Sequence, residues 1–423
     1  MRSSDAGTIH IIGAGLAGLA AAVQLTRSGR AVVVHEATAH TGGRCRSYYD
    51  AATDMTIDNG THLLLSGNHA ARSFVRIIGS ESGLQGPDEA EFSFIDLRTS
   101  EQWTLRFGGS RFPWWVFDRE RRVPQTSVAD YLPMARLVWS NADRPIGEVI
   151  NCAGPIYDRF LAPLLLAALN IAPREGSSKL AGAVIRESLA LGGQACRPLL
   201  ARDGLGAVFV EPALAFLREH EGPVILEDEL VELGLNDNRV TRLKFARQTI
   251  ELGDGDAVIL AVPPYVAAGL VPGLRAPSSF RGIVNAHFRI EPPANLPDML
   301  GVINGTSEWL FALPGRISAT ISDGGRFFDM PRAELAQAIW NDVASVTGLP
   351  AALPPWQLVR ERRATFAATP GQNALRPGPE TAWRNLLLAG DWTATGLPAT
   401  IESAVRSGFR AAELAGQRLK AAA

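Results

Sequence analysis

The sequence predicts an α/β fold, a Rossmann-like nucleotide-binding domain interleaved with an α+β domain. Three observations predict it. A short apolar strand at Thr8–Ile12 runs straight into a glycine-rich turn and a helix of small residues. A second apolar run, residues 31–34, leads to the acid Glu36. A third, residues 385–389 (NLLLA), opens into another turn and helix near the C-terminus. At about 150 residues per domain, 423 residues make two or three domains. A chain of that length buries a full core without staples.

Composition narrows the function classes. Hydrophobic residues at 46% and charged residues at 20% are globular values, which excludes disorder and coiled coil. A net charge of −2 leaves no basic footprint, so no nucleic-acid partner is expected. The three cysteines, Cys45, Cys152 and Cys196, share no ligand spacing. That argues against a disulfide framework and a zinc site, expects no metal, and points to the reducing cytoplasm. The basic residues are nearly all arginine (the lysines are Lys179, Lys244 and Lys420), which is read as base composition of the genome. No membrane span or signal peptide is expected. Residues 9–25 are broken by three glycines and Gln24, with only Arg2 before them, and residues 160–171 are short and carry Pro163 and Asn170.

Gly13-Ala14-Gly15-Leu16-Ala17-Gly18 lies at the turn from strand to helix. Gly13 allows the tight turn, Gly15 lets a pyrophosphate approach the backbone, and Gly18 lets helix and strand pack closely. The helix start supplies N–H donors and the positive end of a dipole. Glu36 stands where ribose hydroxyls need an acceptor. Strand, helix, second strand and acid in this order predict a dinucleotide site. Directly after it, Gly42-Gly43-Arg44-Cys45-Arg46-Ser47 adds a second flexible segment and a guanidinium able to fork onto a diphosphate.

The combination of GxGxxG, Glu36 and GGR resembles the flavin monoamine oxidase and phytoene desaturase superfamily. That resemblance implies FAD as cofactor, on a glutathione-reductase-type domain, with Gly43 and Arg44 at the diphosphate. It also implies that Gly390-Asp391 meets the ribityl chain, and that the helix opening at Thr400-Ile401 points its dipole at the flavin pyrimidine. Residues 224–226, 230–233, 240–245 and 249–252 alternate like an antiparallel meander, and the resemblance puts the backbone near Leu230 at the adenine edge. The FAD-binding domain is then expected at 1–70, 200–270 and 375–423, and the substrate-binding domain at 71–199 and 271–374.

Two further blocks narrow the resemblance. Asp58-Asn59-Gly60-Thr61-His62-Leu63-Leu64-Leu65 and Phe160-Leu161-Ala162-Pro163-Leu164-Leu165-Leu166-Ala167-Ala168-Leu169-Asn170 look like the hydroxysqualene dehydroxylases, squalene-associated FAD-dependent flavoenzymes of bacterial hopanoid pathways. The family often has Gln where this chain has Thr61. The resemblance implies Gly60, Thr61 and His62 beside the flavin, a hydrophobic triterpene substrate, an external reductant, and reductive removal of an allylic hydroxyl to give squalene. Such a reaction needs a dry apolar tunnel. Its material is residues 160–169 with Phe209, Phe216, Phe288, Trp309, Phe311, Phe327 and Phe328, most of them ordinary core and about a third lining a ligand.

His62 is the catalytic candidate, against a structural histidine bonding a carbonyl. His287 is a weaker candidate, and Asp58 is either a buried acid or a turn cap. Residues 112–117 (FPWWVF), flanked by Arg111, Arg119, Arg121 and Arg122, are either a contact with the inner face of the cell membrane or core packing under a charged loop. Three other functions remain open: a carotenoid-type desaturase, an amine oxidase, and a non-catalytic FAD-dependent lipid carrier.

Overall fold

The computed structural model describes residues 7–140 and 142–422. Thr8–Ile12 is the centre of a five-stranded parallel sheet. Across the sheet the order is Val224–Ile225, Ala31–His35, Thr8–Ile12, Ala257–Leu260, Leu386–Leu388. These strands read as continuous apolar runs because both faces are covered. Ile9, Ile11, Val32, Val34, Ile259 and Leu387 point into one core with the helices Leu16–Arg27 and Ile401–Ala422. Ile12, Val258, Leu260, Leu386 and Leu388 point the other way, into a core shared with the meander Leu230–Leu235, Val240–Phe245 and Thr249–Glu251.

Two glycines set the separation between the packed elements. A Cβ on Gly408 would stand 2.2 Å from the Ala17 carbonyl oxygen, and one on Gly18 would stand 1.9 Å from that of Gly13. The two helices therefore meet backbone to backbone. Residues 224–226 differ from expectation: Val224–Ile225 is an edge strand of the parallel sheet and not part of the meander. The edge of Ala31–His35 is otherwise bare. The Val34 N–H donates to the Pro223 carbonyl at 2.9 Å, and the Glu36 N–H to that of Ile225 at 2.8 Å. Glu227, at φ 54°, then turns the chain away before the meander begins.

The second large sheet has seven strands in the order Trp356–Phe366, Phe280–Arg289, Arg316–Ile321, Trp309–Leu313, Met299–Ile303, Ala90–Asp96, Glu101–Phe107. Only the Met299–Ile303 and Ala90–Asp96 pair is parallel. Alternation along its strands serves two cores. Leu310, Phe288 and Ile317 face the helix Arg332–Thr347, with Phe288 and Trp340 rings 5.0 Å apart, whereas Trp309 and Phe311 face the side that holds Ala162–Leu169. Asn170, in the left-handed region at φ 51°, ends that helix. It donates to Thr365 Oγ1 at 2.9 Å and accepts from the Asp323 N–H at 2.6 Å, so the apolar helix is tied to the sheet.

Two buried histidines couple the fold to pH. His10 Nδ1 lies 3.1 Å from His35 Nε2, which in turn contacts Asp228 through Nδ1 at 2.8 Å. His287 sits between Ser318 Oγ at 2.9 Å and the Asp58 carbonyl at 3.1 Å. Burial, with His35 beside His10 and the Arg316 guanidinium near His287, pushes His10 and His287 each down to about 4. Unfolded histidines take up protons below about 6.5, whereas these do so only near 4, so the unfolded chain binds more protons in between. Stability should therefore be fully present above pH 6.5 and fall as pH drops toward 4, by up to about 3 kcal/mol for each residue. Urea unfolding from pH 8 to pH 4.5 reads this. His287→Gln should flatten the decline, and an unchanged slope would remove His287 from the account.

Candidate functional site

The strand Thr8–Ile12 ends at the carboxyl edge of the parallel sheet, where the glycine-rich turn begins. Gly13 has φ +104°, and a Cβ there would lie 2.5 Å from the Ala261 carbonyl oxygen. Gly15 is different. Its φ is −73°, and no atom lies within 4 Å of where a Cβ would stand, so neither backbone nor packing demands glycine. The helix it opens has no side-chain cap and no acid in its first turn, although Leu16 and Ala17 are buried there. Its first-turn N–H groups thus face the open side of Gly15. Gly15 bridges to Gly42, and Gly42 and Gly43 both have positive φ, so two flexible loops meet at this helix start. At the rim, Glu36 accepts from the Ala14 N–H at 2.9 Å with one oxygen, and with the other from the Thr38 N–H at 3.0 Å and its hydroxyl at 2.9 Å.

Arg44 joins distant segments. It donates to the Ala364 carbonyl at 2.5 Å and to Asp391 Oδ1 at 2.8 Å. Burial opposes its charge, but Asp391 prevails and holds its pKa above the ordinary arginine value. Gly390, at φ +144°, leaves no room for a Cβ beside the Trp392 indole, and its N–H donates to Ser407 Oγ. Thr400 Oγ1 accepts the Ser403 N–H at 3.1 Å and so caps the C-terminal helix, whose first residue is Ile401. The acid in that first turn, Glu402, is committed elsewhere, to the N–H groups of Ala70 and Ala71. Leu230 opens the meander, two residues after Asp228.

Sequence reasoning missed Arg376. It is buried, stacks over Phe366, and donates to the carbonyls of Trp392, Asp391 and Thr393, which shapes the loop around Asp391. Burial pulls its pKa down to about 10. It sits in a stretch with no motif, so no local pattern marks it.

Gly60, Thr61 and His62 follow the strand Met55–Asp58. A Cβ on Gly60 would press 2.8 Å from Asn285 Nδ2. Thr61 Oγ1 is buried with no hydrogen-bond partner among the described residues. His62 is partly buried, and burial followed by the nearby Arg44 pushes its pKa down to about 4. The other two polar candidates have structural partners. The Asp58 carboxylate accepts from Ser47 Oγ at 2.5 Å and the Leu205 N–H at 2.8 Å, and its pKa is raised by burial. Both nitrogens of His287 are already engaged. The tunnel candidates also separate. Phe160, Leu161, Leu165 and Leu169 share a core with Trp309 and Phe311. Phe209 and Phe216 belong to the nucleotide-domain core, and Phe288, Phe327 and Phe328 lie behind the large sheet.

These residues suit a dinucleotide that carries a further ring system. The uncapped helix and the open space at Gly15 leave room and N–H donors for a diphosphate, Glu36 lies at the rim already accepting from Ala14 and Thr38, and the buried Thr61 hydroxyl has no partner among the described residues.

A family model described as flavin containing amine oxidoreductase matches residues 16–415. The chain is 59% identical over 408 residues to the hydroxysqualene dehydroxylase of Rhodopseudomonas palustris, covering 96% of this chain and 98% of that protein. It is 56% identical to the hydroxysqualene dehydroxylase of Sinorhizobium fredii, again over 96% and 98%. Among solved structures, the cyclohexylamine oxidase of Brevibacterium oxydans superposes with a TM-score of 0.70 at 17% identity, covering 98% of this chain and all of that one, a likeness of fold.

Gly15→Ala separates binding from folding. Because φ and space both permit alanine, while alanine is a poorer N-cap than glycine, the two effects offset and the unliganded protein should melt close to wild type. The added methyl enters the diphosphate space, so flavin titration should show affinity reduced by tenfold or more, on the order of 1.4 kcal/mol. A mutant that binds flavin normally would move the diphosphate away from this loop.

Proposed function

The chain belongs to the hydroxysqualene dehydroxylase family of the flavin-containing amine oxidoreductases and is an FAD-dependent oxidoreductase; from that premise we infer that it removes the hydroxyl of hydroxysqualene to give squalene. The observation that carries this reading is 59% identity along nearly the whole of both chains. Squalene and hopanoid biosynthesis is the setting it fits. Squalene formation consumes one hydride and one proton and releases water. FAD, when bound and fully reduced as FADH2, would supply the hydride and, by way of solvent, the proton that leaves with the hydroxyl as water.

The chain's own residues do the rest. In this reading segments 1–70, 200–270 and 375–423 form the FAD-binding unit, supported by the fact that all five parallel strands fall within them. The Leu16–Arg27 helix start with Gly13, Gly15, Gly43 and Arg44 holds the diphosphate. Glu36 holds the adenosine ribose, the Leu230 backbone the adenine edge, Gly390 and Asp391 the ribityl chain, and Thr400 and Ile401 the pyrimidine side. Thr61 and Gly60 line the ring. His62, depressed to about 4, stays neutral at working pH. It therefore orients the allylic hydroxyl by a hydrogen bond and does not deliver a proton as imidazolium. The buried apolar group of Phe160, Leu161, Leu165 and Leu169 with Trp309 and Phe311 is a dry core that backs the space for isoprenoid chains.

An external electron donor returns the flavin to its reduced form. Among the described residues no helix is long and apolar enough to cross a membrane. The three free cysteines suit a reducing compartment, so the protein works in the cytoplasm, against the inner face of the membrane that dissolves its substrate.

The test is anaerobic: photoreduced holoenzyme is mixed with hydroxysqualene, flavin absorbance is followed, and the extract is analysed by mass spectrometry. Reoxidation with squalene formation is expected. A flavin that stays reduced over intact alcohol would overturn the reading and favour a desaturase. His62→Ala should slow this single turnover by about 10- to 100-fold, the worth of one hydrogen bond to a buried group, with flavin content unchanged. The wild-type rate should show no ionisation from His62 between pH 6 and pH 9, and an inflection near 6.5 that disappears in His62→Ala would contradict its neutrality.

A further inference from the structure

Ten large hydrophobic side chains are exposed among the described residues, and five of them lie within residues 112–139: Phe112, Trp114, Phe117, Leu132 and Trp139. The first three form a surface cluster on the turn Trp114–Phe117, with Phe112 and Trp114 rings 4.4 Å apart and Phe117 6.4 Å and 6.0 Å from each. This is not core packing under a loop, because Trp114 is 65% and Phe117 55% exposed. Only their neighbours Trp115 and Val116 turn inward. Leu132, Arg136 and Trp139 are spaced i, i+4, i+7 along the helix Leu132–Val138 and its cap, so one outward face carries all three. That helix follows directly on Tyr131, whose ring meets Trp115 edge to face at 5.3 Å, so the two exposed groups share one side of the protein.

Charge selects the partner. Residues 111–139 hold five arginines and three acids in a chain whose net charge is −2. Two of the acids are used locally: Asp130 accepts from Ser127, and Asp118 pairs with Arg121. Arg111, Arg119 and Arg136 are exposed and have no acidic partner among the described residues. Exposed indole and phenyl rings rimmed by unpaired arginines match the chemistry of an anionic bilayer surface, with rings at headgroup depth and guanidinium groups on lipid phosphates.

Beneath the patch the aromatic contacts run inward. Trp115 stands edge to face on Phe107 at 4.8 Å, and Phe107 lies 6.1 Å from Phe160, the start of the apolar segment that ends at Asn170. We propose that the face carrying Phe112, Trp114, Phe117, Leu132 and Trp139 docks on an anionic lipid bilayer, held in place by the buried Trp115, Phe107 and Phe160 packed beneath it. The docking does not rest on the proposed function.

The experiment uses holoenzyme with sucrose-loaded vesicles, without substrate. One set contains phosphatidylglycerol with phosphatidylcholine, the other phosphatidylcholine alone. Wild type should sediment with the anionic set and less with the neutral set. Trp114→Ser/Phe117→Ser should lose about tenfold or more in partitioning, the loss expected on removing two buried rings from an interface. Arg111→Gln/Arg119→Gln should lose roughly fivefold for each arginine on anionic vesicles only. Both variants should keep the bound-flavin spectrum and melting temperature, since none of these side chains packs inside. The proposal is overturned if wild type stays in the supernatant, or if the variants bind like wild type. It is equally overturned if the substitutions instead dissolve a dimer seen by size exclusion and leave sedimentation unchanged, which would make the face a self-interface. Turnover of hydroxysqualene from detergent micelles should survive in both variants while turnover from vesicles falls. Absence of turnover from micelles even in wild type would count against the function alone, because the vesicle result is read without substrate.

Discussion

The contact on which the cleft depends is the pairing of Arg44 with Asp391. Asp391 is nearly inaccessible, and a buried carboxylate must be met by a positive partner or by N–H donors. Arg44 meets it, and with its other nitrogen takes the carbonyl of Ala364 on the strand Trp356–Phe366. One guanidinium thus ties the Gly-Gly-Arg loop, the loop after the last parallel strand, and an edge of the large sheet. Arg376 supports the same loop from behind by taking three of its carbonyls. Two arginines thus fix this loop, Arg44 through the Asp391 carboxylate and Arg376 through the backbone.

The two sheets divide the labour. The parallel sheet brings helix starts and glycine loops to one edge, where backbone N–H groups are free of side chains. The seven-stranded sheet is a wall. Alternation along its strands sends Phe288 and Leu310 to a helix on the far side, and Trp309 and Phe311 to the side that carries the Phe160 segment. Asn170 makes that arrangement rigid by bonding two segments of the wall from one left-handed residue.

Local features were legible in the chain. The glycines, Glu36 and the Gly-Gly-Arg block lie within one short stretch, so their spacing in sequence maps directly onto their spacing in space. The meander strands were read from alternation. Alternation cannot say which edge a strand joins, however. Val224–Ile225 pairs with the nucleotide sheet because the neighbouring strand had an unpaired backbone edge, a fact of the assembled sheet. Phe209 and Phe288 likewise carry no local sign of which core they enter. Arg376 acquires its meaning from carbonyls 15–17 residues further on, which only the folded loop brings to it, and the burial of the Thr61 hydroxyl without a partner among the described residues is likewise a fact of packing.

By itself, then, the amino-acid order determined the nucleotide-binding element, its cofactor class through resemblance, and the apolar and aromatic segments available to a lipid substrate. Those properties follow from residues a few positions apart, where backbone geometry alone decides the contact. Tertiary structure decided what Asp58, His287 and His62 are free to do. Asp58 and His287 are consumed by Ser47, Leu205 and Ser318, while His62 is left beside Arg44 and driven neutral. It also decided which of six adjacent residues, 112–117, face water. Burial, ionisation and exposure depend on everything packed around a side chain, and only the folded chain supplies those neighbours.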